Sequence, residues 1–264
     1  MNGLYGFILY HLKQKHRLSM KLLRGDISMI KAILFDLDGT LLPMDDESFT
    51  NDYFSSLVKK VSPLGYDSEK LVYGVWSGTK SMIQNDGTNL NEHVFWSEFT
   101  KIMGDEILNH KHLFDEYYEK EFQLLSKSCG YNSKSKEVVD KVKDMGYRVV
   151  LATNPVFPEA ATVSRIKWAG LTPEDFELYT TYENIGYCKL NPKYYEDILM
   201  KIGCKPEECL MVGNNAKEDM IAQTIGMNVF LLTDYLVNKE EKDISQYPSG
   251  SYEELLEYID HLSK

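Results

Sequence analysis

The feature that most constrains the fold is a short apolar run that stops abruptly on acid. From Ile30 to Phe35 the chain reads Ile-Lys-Ala-Ile-Leu-Phe, and Asp36-Leu37-Asp38-Gly39-Thr40 follows at once. A nearly continuous apolar run of this length is how a strand covered on both faces of a parallel sheet reads. Two carboxylates two residues apart, directly after such a strand, are costly unless a cation or a hydrogen-bond network compensates them. Capping the turn before Gly39 requires only one Asp or Asn, so the pair calls for another explanation.

The same grammar returns further along. A helical stretch carrying Val138, Val139, Val142 and Met145 stops at Gly146, and a strand from Arg148 to Ala152 ends at Thr153. A helix over 158–168 ends at Gly170. Another begins with Asn191 as its cap and Pro192 in its first turn, with Tyr195, Ile198, Leu199 and Ile202 facing inward before Gly203. Strands at 210–212 and 229–232 bracket a helix that ends near Gly226. Strand and helix alternating in this way predict an α/β fold, a Rossmann-like open parallel sheet.

Between roughly Ser48 and Gly130 the alternation disappears and helical spacing takes over: Tyr53, Leu57 and Val61; Phe95, Phe99 and Met103; Phe114, Tyr118 and Phe122. We read this as an inserted all-helical cap over 48–130, with the Rossmann-like core formed by 29–47 and 131–264. The aromatic stripes are expected to be the cap's own core. Tyr252 to Leu262 reads as a closing amphipathic helix.

Residues 1–28 stand apart, with Lys13, Lys15, Arg17, Lys21 and Arg24 against the single acid Asp26. The apolar stretch from Leu4 to Tyr10 has neither a preceding basic region nor a small-residue cleavage site, which argues against a signal peptide. The segment is read as a loosely ordered extension; a docked short helix and a basic membrane-surface helix are the alternatives. The net charge of -11 disfavours a nucleic-acid partner, since such binders concentrate Lys and Arg. Apolar runs are too short to span a membrane. Four scattered cysteines, without CxxC spacing, suggest neither a zinc site nor a disulfide framework, and a cytoplasmic location fits.

In an open α/β sheet, ligands bind outside the carboxyl ends of the strands. The polar groups ending strands here are Asp36 and Asp38, then Thr153, then Lys189, then the loop Gly213 to Asp219. The run Phe35-Asp36-Leu37-Asp38-Gly39-Thr40-Leu41-Leu42 resembles the first motif of the haloacid-dehalogenase-like superfamily. Leu151-Ala152-Thr153-Asn154-Pro155 resembles its second motif, Lys189 before Leu190-Asn191-Pro192 its third, and Gly213-Asn214-Asn215-Ala216-Lys217-Glu218-Asp219 its fourth. The resemblance covers about residues 30–233, and the insert resembles the family's helical cap of the first type.

What the resemblance implies is a Mg²⁺-dependent phosphatase acting on a small phosphorylated metabolite. Asp36 would be the nucleophile, forming an aspartyl-phosphate, and Asp38 the general acid and base. Thr153, Lys189, Asn154 and the backbone near Leu37 and Asp38 would hold the phosphoryl oxygens. Magnesium would be held by Asp36, the Asp38 backbone carbonyl, Asn214 and Asp219, with Glu218 able to join through water. The family usually has an acid directly after the glycine of its fourth motif, so Asn214 removes one negative charge and predicts weaker metal affinity. A carboxylate at position 38 argues against dehalogenation, because a halide leaves without a proton. A phosphomutase and a non-catalytic binding module on the same fold are the competing readings. Specificity is expected to lie in the cap, with Trp76, Ser77, Lys80 and Gln84 as candidates; the oligomeric state is left open.

Overall fold

The computed structural model describes residues 30–262, so the readings made for 1–28 lie outside the described residues. Six parallel strands form one sheet in the order β3-β2-β1-β4-β5-β6: β1 Ala32–Phe35, β2 Arg148–Leu151, β3 Leu178–Tyr179, β4 Cys209–Gly213, β5 Asn228–Leu232 and β6 Ser249–Gly250. The central strand is the acid-terminated one, with Phe35 in register with Leu151 on one side and Val212 on the other. The chain therefore leaves β1 for one edge of the sheet and later crosses to the other, and β1 and β4 flank the switch point of the strand order.

Burial on both faces explains why β1 is apolar throughout. Ile33 and Phe35 join one cluster with Val138, Val139 and Val142 of α5 (Ser133–Asp144) and with Leu255 and Ile259 of α8 (Tyr252–Leu262). Ala32 and Leu34 join the opposite cluster with Tyr194, Tyr195, Ile198 and Leu199 of α7 (Lys193–Ile202). All four β1 side chains are fully buried, and each large one contributes about 1.5–3 kcal/mol of transfer free energy. The expected Rossmann-like α/β fold is observed.

Three details differ from the sequence reading. Edge strands β3 and β6 are two residues long and leave no apolar run to detect. Residues Met220–Ile225 form a 3₁₀ segment rather than an α-helix, closed by Gly226 at φ 92°. The α7 cap position belongs to Pro192, while the Asn191 side chain accepts a hydrogen bond from the Lys193 N–H at 3.1 Å.

The regular elements of residues 46–128 are all helical, α1 Asp46–Val61, α2 Ser68–Ile83, α3 Asn91–Met103, α4 Lys111–Glu119 and short 3₁₀ segments, joined by loops. The first helix starts two residues before the expected boundary because the Asp45 carboxylate accepts the Ser48 N–H at 2.8 Å. Helices α2 and α3 pack closely: a Cβ on Gly74 would lie 3.0 Å from the Phe99 ring, and one on Gly78 would lie 2.5 Å from the Phe95 ring. The three aromatic stripes do form the core of the insert, around buried Tyr53, Phe99, Phe114, Tyr117 and Phe122. Phe157, Ala161 and Trp168 from outside the insert complete that cluster. The two chain segments linking insert and sheet lie side by side: Met44 and Cys129 form an antiparallel bridge, and the Gly130 N–H donates to the Pro43 carbonyl at 2.7 Å.

Candidate active site

At the end of β1 the chain turns sharply. The Gly39 N–H donates to the Leu42 carbonyl at 2.7 Å, and the Thr40 and Leu42 N–H groups both donate to the Leu37 carbonyl. Gly39 has φ 79°, and a Cβ there would lie 2.2 Å from the Asn214 side chain, so only glycine fits. This turn sends the Leu37 side chain into the core, while Asp36 and Asp38 face a cavity.

Lys189 is the centre of the site. Its Nζ donates to Asp36 Oδ1 at 2.5 Å and to Asp219 Oδ1 at 2.6 Å, and all three side chains are nearly or fully buried. Asp219 reaches back because Gly213 leaves room: a Cβ on Gly213 would lie 2.1 Å from Asp219 Oδ2. That oxygen accepts the Asn215 N–H at 2.9 Å. Burial pushes the Asp219 carboxyl up to about 7, against the lowering influence of Lys189. Burial lowers the Lys189 amine, but its two carboxylate partners outweigh that and hold it well above the usual lysine value.

Asp38 has a partner that sequence reasoning missed. Arg165, on α6 (Glu159–Trp168), is 1% exposed and donates from one terminal nitrogen to Asp38 Oδ2. Its guanidinium lies 4.7 Å from the centroid of the Phe157 ring. Asp38 Oδ1 is buried and accepts no hydrogen bond. Burial pushes this carboxyl up to about 6, with Arg165 opposing. The signal for Arg165 was available: it stands on the inner face of its helix with Ala161, Thr162 and Ile166, where a charge needs a buried counter-charge.

The remaining candidates fall around this pair of acids. Thr153 borders the cavity, and its carbonyl accepts from the Tyr194 hydroxyl at 2.8 Å and from the Thr180 hydroxyl at 2.6 Å. Asn154 donates to Glu218 Oε2 at 3.2 Å, and the Glu218 carboxyl is raised by burial. Asn214 donates to the Tyr235 carbonyl at 2.7 Å, which turns its Oδ1 toward the Thr40 hydroxyl, 3.2 Å away; that hydroxyl also reaches Asp36 Oδ2 at 3.1 Å. Leu37 is the exception: its side chain is in the core, and only its backbone lies near the site.

The donor set suits a hard divalent cation. Asp36 and Asp219 share the single ammonium of Lys189, with Glu218 on the same cavity, leaving surplus negative charge among oxygen donors. Among the described residues no cluster of three or more His, Cys, Asp or Glu is arranged to hold a metal; the candidate donors are two carboxylates, an amide oxygen and a backbone carbonyl.

The cavity, of about 500 Å³, runs from these residues up into the helical insert. Of the four cap residues nominated for specificity, only Trp76 lines it, joined by Val75 and Thr79. Ser77, Lys80 and Gln84 of the same stretch are not among the residues that line it.

Known proteins match most of this chain. A family model described as haloacid dehalogenase-like hydrolase matches residues 30–222. The glyceraldehyde 3-phosphate phosphatase of Methanothermobacter thermautotrophicus is 25% identical over 235 residues, covering 83% of this chain and 92% of that protein. Pyrophosphatase PpaX of Bacillus cereus is 26% identical over 203 residues, covering 75% of this chain and 80% of its own. Among solved structures, a HAD phosphatase from Thermococcus onnurineus shares the fold at TM-score 0.55 and 20% identity, over 87% of this chain and 98% of that one. Among the described residues no helix is long and apolar enough to cross a membrane.

Proposed function

Since the chain belongs to the haloacid dehalogenase-like hydrolases, we propose that it is a phosphatase that cleaves small phosphate monoesters, with Asp36 as nucleophile. One observation carries this reading: Lys189 bridges Asp36 and Asp219 at the switch point of the sheet, with Asp38 and Thr153 on the same cavity. An activated carboxylate beside a cation, at the mouth of a cavity, suits attack on phosphorus and a covalent intermediate that splits one displacement into two. Relatives named as phosphatases support the same class.

In this reading Asp38 gives a proton to the departing alkoxide and later takes one from water. Arg165 fixes the Asp38 carboxylate by one oxygen and leaves the other without a partner. Thr153 and Asn154 bind phosphoryl oxygens, and Lys189 offsets the charge that accumulates between Asp36 and the phosphate. Mg²⁺ would be held by Asp36, the Asp38 carbonyl, Asn214 and Asp219, and when bound it polarises the phosphoryl group and neutralises developing charge. The Asn214 amide, anchored by the Tyr235 carbonyl, presents an oxygen toward Thr40 and Asp36, which supports its place in that set. The helical insert acts as a cap that shields the reaction from bulk water.

The test uses purified protein with p-nitrophenyl phosphate, with and without Mg²⁺. Wild type turns over only with the metal, and Asp36→Asn is inactive. Equal inertness of both proteins with every phosphate ester tried would leave the binding-module reading in its place.

A further inference from the structure

The part of the cavity formed by the insert is built from rings. Phe54, Trp76, Trp96, Phe114 and Tyr118 line it from the insert, and Phe157 faces them from the loop after β2. Leu57 and Val75 add aliphatic surface. The polar side chains there are Thr50, Thr79, Asp115 and the tyrosine hydroxyls, with Asp46 nearer the catalytic acids. Among the described residues lining the cavity, Lys189 is the sole basic group, and both Asp36 and Asp219 already hold it.

This composition discriminates by charge. A leaving group with its own carboxylate or second phosphate would bring an anion to a wall that offers aromatic faces and Asp115, while Lys111, whose ammonium lies 5.5 Å from the centroid of the Trp96 ring, is outside the lining and already shared by Glu92 and Asp115. An unpaired anion taken out of water is strongly disfavoured. Asp115 does not turn the chamber into a cation trap, because Lys111 lies 3.7 Å from its carboxylate. Size points the same way. About 500 Å³ is the scale of a drug-sized ligand rather than of a two-carbon acid, and ring surfaces gain by covering apolar area.

We infer that the substrates are phosphate monoesters of a large, uncharged, apolar alcohol, and that the insert selects against leaving groups carrying a second negative charge. The inference rests on the phosphatase reading and narrows it. It separates this chain from what the name of one similar protein states, a pyrophosphatase.

The experiment compares kcat/KM for 2-phenylethyl phosphate, 2-phosphoglycolate, inorganic pyrophosphate and choline phosphate, with Mg²⁺ in excess. The three alkyl esters have similar leaving-group basicity, so differences among them report binding in the chamber; pyrophosphate is an anhydride with a better leaving group, so its intrinsic reactivity works against the expected order. We expect 2-phenylethyl phosphate to exceed 2-phosphoglycolate, pyrophosphate and choline phosphate at least tenfold. Trp76→Arg adds a cation at a half-exposed helix position; it should lower the 2-phenylethyl value and raise the 2-phosphoglycolate value, narrowing the ratio at least fivefold. A wild type that prefers either anionic substrate overturns the inference while leaving the phosphatase reading intact. Preference for choline phosphate puts a cation among the rings and overturns it as well. Absence of turnover on all four and on p-nitrophenyl phosphate removes the phosphatase reading and this inference together.

Discussion

Replacing Arg165 by methionine keeps the apolar stem in the core and deletes the guanidinium. The losses can be itemised: the ion pair to Asp38, two long hydrogen bonds to the Thr162 hydroxyl and the Ala161 carbonyl at 3.4 Å, and the contact with the Phe157 ring. Breaking a fully buried ion pair by removing one partner costs about 3–5 kcal/mol. Here Asp38 has an escape, since its side chain is 24% exposed and its carboxyl already titrates near 6. Its pKa is raised relative to the unfolded chain. A raised acid contributes stability that is present below about 4 and lost as pH rises through its folded value, because the charged form is the disfavoured one. Removing Arg165 raises that value further, so the variant should lose more stability on going from pH 5 to pH 8 than wild type does. We expect Arg165→Met to cost about 2–3 kcal/mol at pH 8 and about 1 kcal/mol at pH 5. Urea unfolding in EDTA, followed by tryptophan fluorescence at both pH values, measures this. A cycle with Asp38→Asn isolates the pair, with an expected coupling of about 2 kcal/mol at pH 8. A loss below about 0.5 kcal/mol at both pH values, or no coupling, would refute the claim that this arginine and the candidate acid-base residue form one unit.

Three further outcomes follow from the geometry. Gly78→Ala sets a methyl carbon 2.5 Å from the Phe95 ring, so despite better helix propensity it should destabilise by about 1–3 kcal/mol, read as a lowered Tm. Tyr194→Phe removes the hydroxyl that holds the Thr153 carbonyl at 2.8 Å and should cost about 1–2 kcal/mol in urea unfolding. Asn214→Asp exchanges the amide donor to the Tyr235 carbonyl for a charge: the metal-free variant should melt lower than wild type, and added Mg²⁺ should raise its Tm by more than it raises that of wild type. An Asn214→Asp protein with an unchanged Mg²⁺ response would count against this residue as a metal donor.

Much of the site is legible in the sequence because parallel topology does the assembling. Once β1 and β4 are recognised as buried strands, their carboxyl ends must share an edge, and Asp36 and Asp219 meet there. Lys189 was marked only by its place before Leu190-Asn191-Pro192, yet it is the group that joins the two acids. Arg165 stands at no strand end and reaches Asp38 from within a helix, so strand-end polarity does not mark it. Ring stripes identified the core of the insert by period alone, but the period does not say which rings also face a cavity: Tyr118 lines it and Tyr117 does not. The edge strands β3 and β6 and the 3₁₀ segment at 220–225 carry no periodic signal, since two to six residues are too few to establish one.

The bridge between Met44 and Cys129 draws the two ends of the helical insert together like the neck of a parcel. Its two ends are already neighbours, so exchanging everything between them for a short turn adds little chain-closure entropy. Phe157, Ala161 and Trp168 work against such an exchange, because they complete the insert's apolar cluster and would lose their cover. A functional graft of a different cap onto this sheet therefore has to supply new apolar partners for those three residues as well as a matching pair of ends.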